Sequence, residues 1–169
     1  HAAAADKARR LWQQAQPAAP QHPYLIKKQI LPHGIKQIKG SLVVPVHNAA
    51  GDLTGLQFID SNGSKKFLSG TAVAAAYHVI GPQPADVLLM AEGFATAATL
   101  FEATGHPCAV AFFAGNLKPV ALALRTKYPK VQIIVCADAD PVGRTAAAEA
   151  ATAVKGTWTE PDFPESEQR

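Results

Sequence analysis

After Asp86 the chain alternates continuous apolar runs with helix-patterned segments, and no other feature constrains its fold so tightly. VLLMA (87–91), CAVAFF (108–113) and VQIIVCA (131–137) show no polar alternation. Between and after them stand FATAATLFEATG, LKPVALALRTKYP and VGRTAAAEAATAVKG, which read as helices, with TWTEPDF as a further short strand. Strands that are apolar on both faces must be covered on both faces, so the pattern predicts a parallel sheet of about four strands, Rossmann-like, with flanking helices. Right-handed crossovers bring every strand's carboxyl end to one edge, and ligands of such sheets bind there.

The upstream half reads differently. Residues 2–16 are Ala-rich with Leu11 and Trp12 and predict a helix, which the prolines of QPAAPQHP end. SLVVPVHN, LTGLQFID and KKFLS predict three short strands punctuated by the turns AAGD and SNGS. Gly81, Pro82 and Pro84 mark a boundary. The expected organisation is a small α+β unit with an antiparallel sheet over 1–84, an α/β unit over 85–160 and a tail over 161–169.

Charge follows the same division. Residues 1–81 carry nine Lys and Arg against three Asp and Glu, net +6, whereas residues 82–169 carry seven against ten, net −3. That asymmetry suits a polyanion held on one part and cations on the other, and it equally suits plain solubilising charge. No apolar run approaches the ~20 residues needed to span a bilayer, and the first ten residues lack the apolar segment of a signal peptide. Cys108 and Cys136 both sit in apolar runs, which predicts two buried thiols and fits a reducing cytoplasm. There is no GxGxxG fingerprint and no GxxxxGK loop, which disfavours dinucleotide binding and P-loop chemistry.

The chemistry gathers at the predicted strand ends. VLLMA is followed at once by Glu92-Gly93, and VQIIVCA by Asp138-Ala139-Asp140. Residues two apart in extended backbone point the same way, so Asp138 and Asp140 can aim at a common point with Glu92. Carboxylates crowded in this way repel, and a hard divalent cation such as Mg²⁺ neutralises them while leaving room for phosphate oxygens. Asp140 precedes Pro141 and a helical run, so it also reads as a helix N-cap. Arg144 has two readings, a phosphate ligand or the partner of a carboxylate. His22, His33, His47, His78 and His106 are scattered and read as surface or structural residues.

MAEGFATAATL, FFAGNL and VCADADPVGRTAAAEAA together resemble the Toprim domain shared by bacterial-type primases, type IA and II topoisomerases and some nucleases. Glu92, Asp138 and Asp140 fall on that family's acidic positions, and the resemblance covers residues 86–160. LVVPVHNAAGDLTGLQFIDSNGSKKFLSG is similar to the segment that precedes Toprim in primase catalytic cores. There Lys66 takes the place of a lysine that contacts nucleotide or template phosphate, with Lys65 beside it; Asn116 and Arg144 join them as candidate nucleotide or nucleic-acid ligands. The sequence departs from the fullest family pattern at Thr96, where many primases have aspartate, and in residues 118–125, which hold no carboxylate. The zinc-binding module and helicase motifs that accompany many primases are not in this sequence, which reads as a catalytic core.

The resemblance implies Mg²⁺- or Mn²⁺-dependent synthesis of RNA primers from nucleoside triphosphates on single-stranded DNA, with a replicative helicase or helicase domain as partner and no membrane contact. Glu92, Asp138 and Asp140 would be both the metal ligands and the catalytic residues, and Glu92 has a second possible role in moving a proton. Lys27, Lys28, Lys36 and Lys39 would follow the template with Lys65 and Lys66. A Toprim nuclease and a non-catalytic nucleic-acid-binding module with a vestigial metal site stand as alternatives.

Overall fold

The computed structural model describes residues 1–161, so only Pro161 of the expected tail falls within it. Helix α1 (Ala2–Gln14) places Ala4, Ala8, Leu11 and Trp12 along one side. Ala8 packs with Val43, Leu56 and Leu68 on one face of an antiparallel sheet. That sheet runs in the order β1 (Gln16–Pro17), β2 (Lys36–Ile38), β3 (Ser41–His47), β4 (Leu53–Ile59) and β5 (Lys65–Phe67). The last three strands are the predicted ones, and β1 and β2 add to them. The sequence pattern gave no sign of helix α2 (Pro23–Lys28). Pro23 starts it where proline is tolerated, and His22 caps it, with Nδ1 accepting from the Tyr24 N–H at 3.1 Å and Nε2 donating to the Gly40 carbonyl at 2.7 Å.

The second sheet has the order β10 (Thr157–Thr159), β9 (Gln132–Cys136), β7 (Val87–Ala91), β8 (Cys108–Val110) and β6 (His78–Ile80). Four strands are parallel, as expected. The fifth, β6, pairs antiparallel with β8 and comes from the stretch that carried no clear pattern. Helices α4 (Leu117–Lys127) and α5 (Pro141–Ala153) cover one face, burying Leu88, Met90, Ile133 and Val135. Helix α3 (Phe94–Thr104) covers the other.

The α3 face shares its core with the upstream unit. Tyr24, Leu25, Ile35, Leu42, Val44 and Ile59 pack in one cluster with Ile80, Leu89, Phe94, Ala97 and Val110. Each large side chain buried there is worth roughly 1.5–3 kcal/mol. The join is sealed at its rim, where Glu102 accepts from the Leu31 N–H at 3.1 Å and pairs with His33 Nε2 at 2.6 Å. Both cysteines are buried and unpaired, as expected.

Candidate active site

Strands β7 and β9 are adjacent and parallel with Met90 opposite Val135, so their carboxyl ends deliver Glu92 and Asp138 to the same edge. The two carboxyl groups stand close enough for the Asp138 charge to act on Glu92. Burial first, then neighbouring Asp138 and the Asp140 charge, push the Glu92 carboxyl up to about 7, with Lys65 opposing. Its Oε1 is buried and has no hydrogen-bond partner. Two acids crowded together, with one oxygen unsatisfied, form a centre that favours positive charge.

Asp140 does what its position before proline predicted. Its Oδ1 accepts from the Gly143 N–H at 2.6 Å and caps α5. Its own N–H donates to the Asp138 carbonyl at 2.8 Å, and its carbonyl accepts from the Arg144 N–H at 3.0 Å, so the Asp-x-Asp loop is fixed by backbone bonds. Arg144 settles on a carboxylate, its Nε donating to Glu160. Gly93 caps α3 in ordinary extended conformation at φ −107°, so no positive φ requires glycine there.

The structure brings Lys65, rather than Lys66, to the acids. In β5, Lys65 and Phe67 alternate with Lys66. Lys65 pairs with Ile59 on the face toward α3, whereas Lys66 pairs with Phe58 on the α1 side. The Lys65 amine lies 3.7 Å from the point a β-carbon would occupy at Gly93. Its pKa is lowered chiefly by burial and then by Lys28, with Asp138 and Glu92 pulling the other way. Lys28, Thr96, Thr99, Asp138 and Thr159 line a cleft of about 520 Å³ between α3 and the β9–β10 end of the sheet. Thr96 therefore stands at the site, where an aspartate would have added a carboxylate.

Asn116 is a correction. Its side chain is buried, and its amide donates to the Val73, Ala76 and Ala111 carbonyls at 3.2, 3.0 and 2.8 Å, while its oxygen accepts from the Ala75 N–H at 2.8 Å. With its amide committed in this way it pins segment 73–76 to β8 rather than reaching for a nucleotide. Beside it lies a feature that sequence reasoning passed over. Phe112 adopts φ 78°, a conformation aromatic side chains rarely take, at a cost of order 1–3 kcal/mol. It is held by its N–H donating to the Glu92 carbonyl at 2.7 Å and by an edge-to-face contact with Phe67 at 5.6 Å.

Among the described residues no three His, Cys, Asp or Glu side chains form a ready-made metal cage. The donor set nevertheless fits a hard cation. Glu92 and Asp138 offer oxygens to one point, the Glu92 oxygen lacks any other partner, and the second oxygen of Asp140 takes no part in the cap. Among the described residues no helix is long and apolar enough to cross a membrane.

Residues 87–161 match the Toprim domain. The chain is 34% identical to a DNA primase TraC of Escherichia coli over 96% of its own length, but spans only 17% of that protein. A second DNA primase TraC of Escherichia coli matches at 34% identity over 73% of this chain and 10% of its own length. The fold is similar to the primase fragment of the bacteriophage T7 primase-helicase protein, with a TM-score of 0.64 at 18% identity, covering 85% of this chain and 66% of that one. It is also similar to the DnaG catalytic core, with a TM-score of 0.54 at 15% identity, covering 77% of this chain and 47% of that one.

Proposed function

The chain carries a Toprim domain and is homologous to the catalytic core of DNA primases, and from that premise we propose that it synthesises short RNA primers on single-stranded DNA. The single observation that carries this reading is the Glu92–Asp138 pair facing Lys65 across the join between the two units. A Toprim domain generally binds a divalent metal; here Glu92, Asp138 and Asp140 would hold Mg²⁺ or Mn²⁺. When bound, such an ion neutralises charge on a triphosphate and polarises the phosphorus under attack.

The chain's own residues do the rest. Asp140 and Gly143 fix the loop that aims Asp138. Lys65, with its ammonium close to the acids, neutralises phosphate oxygens that approach them, and Lys28 extends that charge along the cleft. Lys66, on the other face of β5, serves the template backbone with Lys27 and Lys39, whereas Lys36, expected to join them, is held by Trp12, donating to its carbonyl at 2.9 Å. In this division of labour residues 1–84 hold nucleic acid and lend Lys65 and Lys28 to the site, and residues 85–160 supply the acids. DNA held by such a lysine surface binds with strong salt sensitivity and little base readout.

Two similar proteins support the partners. One structure shows primase domains of the bacteriophage T7 protein with an RNA/DNA hybrid, dTTP and a DNA polymerase. Another shows a DnaG catalytic domain with single-stranded DNA. We extend this to a single-stranded DNA template, nucleoside triphosphates and a replicative helicase or helicase domain. Two buried free thiols fit action in the reducing cytoplasm. The test is primer synthesis on single-stranded DNA with labelled nucleotides, with and without Mg²⁺ or Mn²⁺. Asp138→Ala is expected to abolish labelled product while leaving DNA binding in place. Unchanged priming in that variant sinks the reading, and metal-dependent shortening of the DNA without added nucleotides replaces it with a nuclease.

A further inference from the structure

Phe113 stands one residue beyond Phe112, whose N–H is bonded to the Glu92 carbonyl, and so lies at the catalytic edge of the sheet. It is 43% exposed. One side of its ring covers the short 3-10 turn Ala114–Asn116, where a β-carbon at Gly115 would stand 3.5 Å from a ring carbon. The strained backbone of Phe112 and the four bonds of Asn116 fix the segment on both sides, so the ring is held rather than loosely exposed. Two unfavourable features, a positive-φ aromatic and a large half-exposed apolar ring, thus sit together at the edge of the sheet that carries Glu92.

We propose that Phe113 is the platform on which a base of the single-stranded DNA template stacks next to Glu92. The inference rests on the single-strand binding proposed above. A flat ring receives the face of any base. The neighbouring side chains of the AFFAG segment, residues 111–115, are all apolar, so none of them reads base edges. Sequence-tolerant stacking is what a template channel requires, whereas a site that selects one nucleotide needs polar groups on the base.

Phe113 is exposed, so its replacement leaves the core intact. Binding of a fluorescein-labelled oligo-dT to the full chain is measured by anisotropy for the wild type and for Phe113→Ala, Phe113→Trp and Phe113→Leu. The Ala and Leu variants are expected to bind about 5- to 100-fold more weakly, and the Trp variant at least as tightly as the wild type. An oligonucleotide carrying abasic positions should bind the wild type and Phe113→Ala almost equally. Phe113→Ala binding intact DNA within about twofold of the wild type, with salt-sensitive binding otherwise retained, overturns the platform and leaves the primase reading standing. A raised KM for nucleotide with unchanged DNA affinity also overturns it, by assigning the ring to the incoming base. Absence of any DNA binding by the wild type overturns both readings.

Discussion

Gly143 lies so close to Asp138 that a β-carbon there would stand 2.9 Å from the Asp138 carbonyl oxygen and 3.2 Å from the Asp138 β-carbon. The glycine of the D-x-D-P-x-G-R run is thus a spacer that lets helix α5 start directly beneath the acidic loop. Gly143→Ala has to push that loop away, and what it meets first is backbone, which does not yield cheaply. Metal affinity, followed by Mn²⁺ titration, should fall about tenfold or more. An unchanged affinity would show that the loop position is not critical.

Lys65 and Lys66 should separate kinetically. Lys65→Ala removes the amine beside Glu92 and should lower kcat roughly a hundredfold. Lys66→Ala should leave kcat nearly unchanged and instead reduce the salt dependence of DNA affinity by about one phosphate contact. Equal kcat losses in both variants would contradict the facing of β5.

Glu92 couples metal binding to protons. Because it titrates at about 7, it is mostly protonated at pH 6 and mostly ionised at pH 8. Metal binding should therefore release close to one proton at pH 6 and far fewer at pH 8, as read by calorimetry in buffers of different ionisation enthalpy. The sign for stability follows. A raised folded pKa stabilises below the ordinary value of 4.5 and loses that contribution as pH rises through 7. Without metal, Glu92→Gln should raise the Tm at pH 8 and change it little at pH 5.

His78 sets the opposite limit. Burial, then the nearby His47, hold its pKa down to about 3, and its Nε2 is buried without a partner. A depressed folded pKa gives stability that is complete above the ordinary value of 6.5 and is lost as pH falls toward 3. Between pH 6.5 and 4.5 the loss should be about 2 kcal/mol by urea denaturation. His78→Leu should flatten that slope.

Asn116→Ala strands the Ala75 N–H and the Ala76 and Ala111 carbonyls, while the Val73 carbonyl keeps the Ala76 N–H. The expected destabilisation is about 3 kcal/mol, measured by denaturant unfolding. A loss of nucleotide affinity at full stability would instead restore the ligand role.

The site was legible where strand ends and short-range geometry decide it. Glu92 and Asp138 follow directly on apolar runs, and Asp140-Pro141 carries its capping role in two letters. Lys65 was legible in principle, since alternation with Phe67 puts it on the inner face, but position within a motif drew attention to Lys66 instead. Asn116 was not legible, because its partners at 73–76 are some forty residues away in a stretch without pattern. The same distance hid β6, whose three residues form a strand only because β8 offers an open edge.

The apolar cluster that joins Leu42 and Ile59 to Phe94 and Val110 has a consequence for movement. Lys65 and Glu92 belong to two sheets that share one interior, so neither can swing without exposing it. The gap between them is a fixed aperture. On the proposed function, a strand being copied would have to slip past that fixed gap one nucleotide at a time.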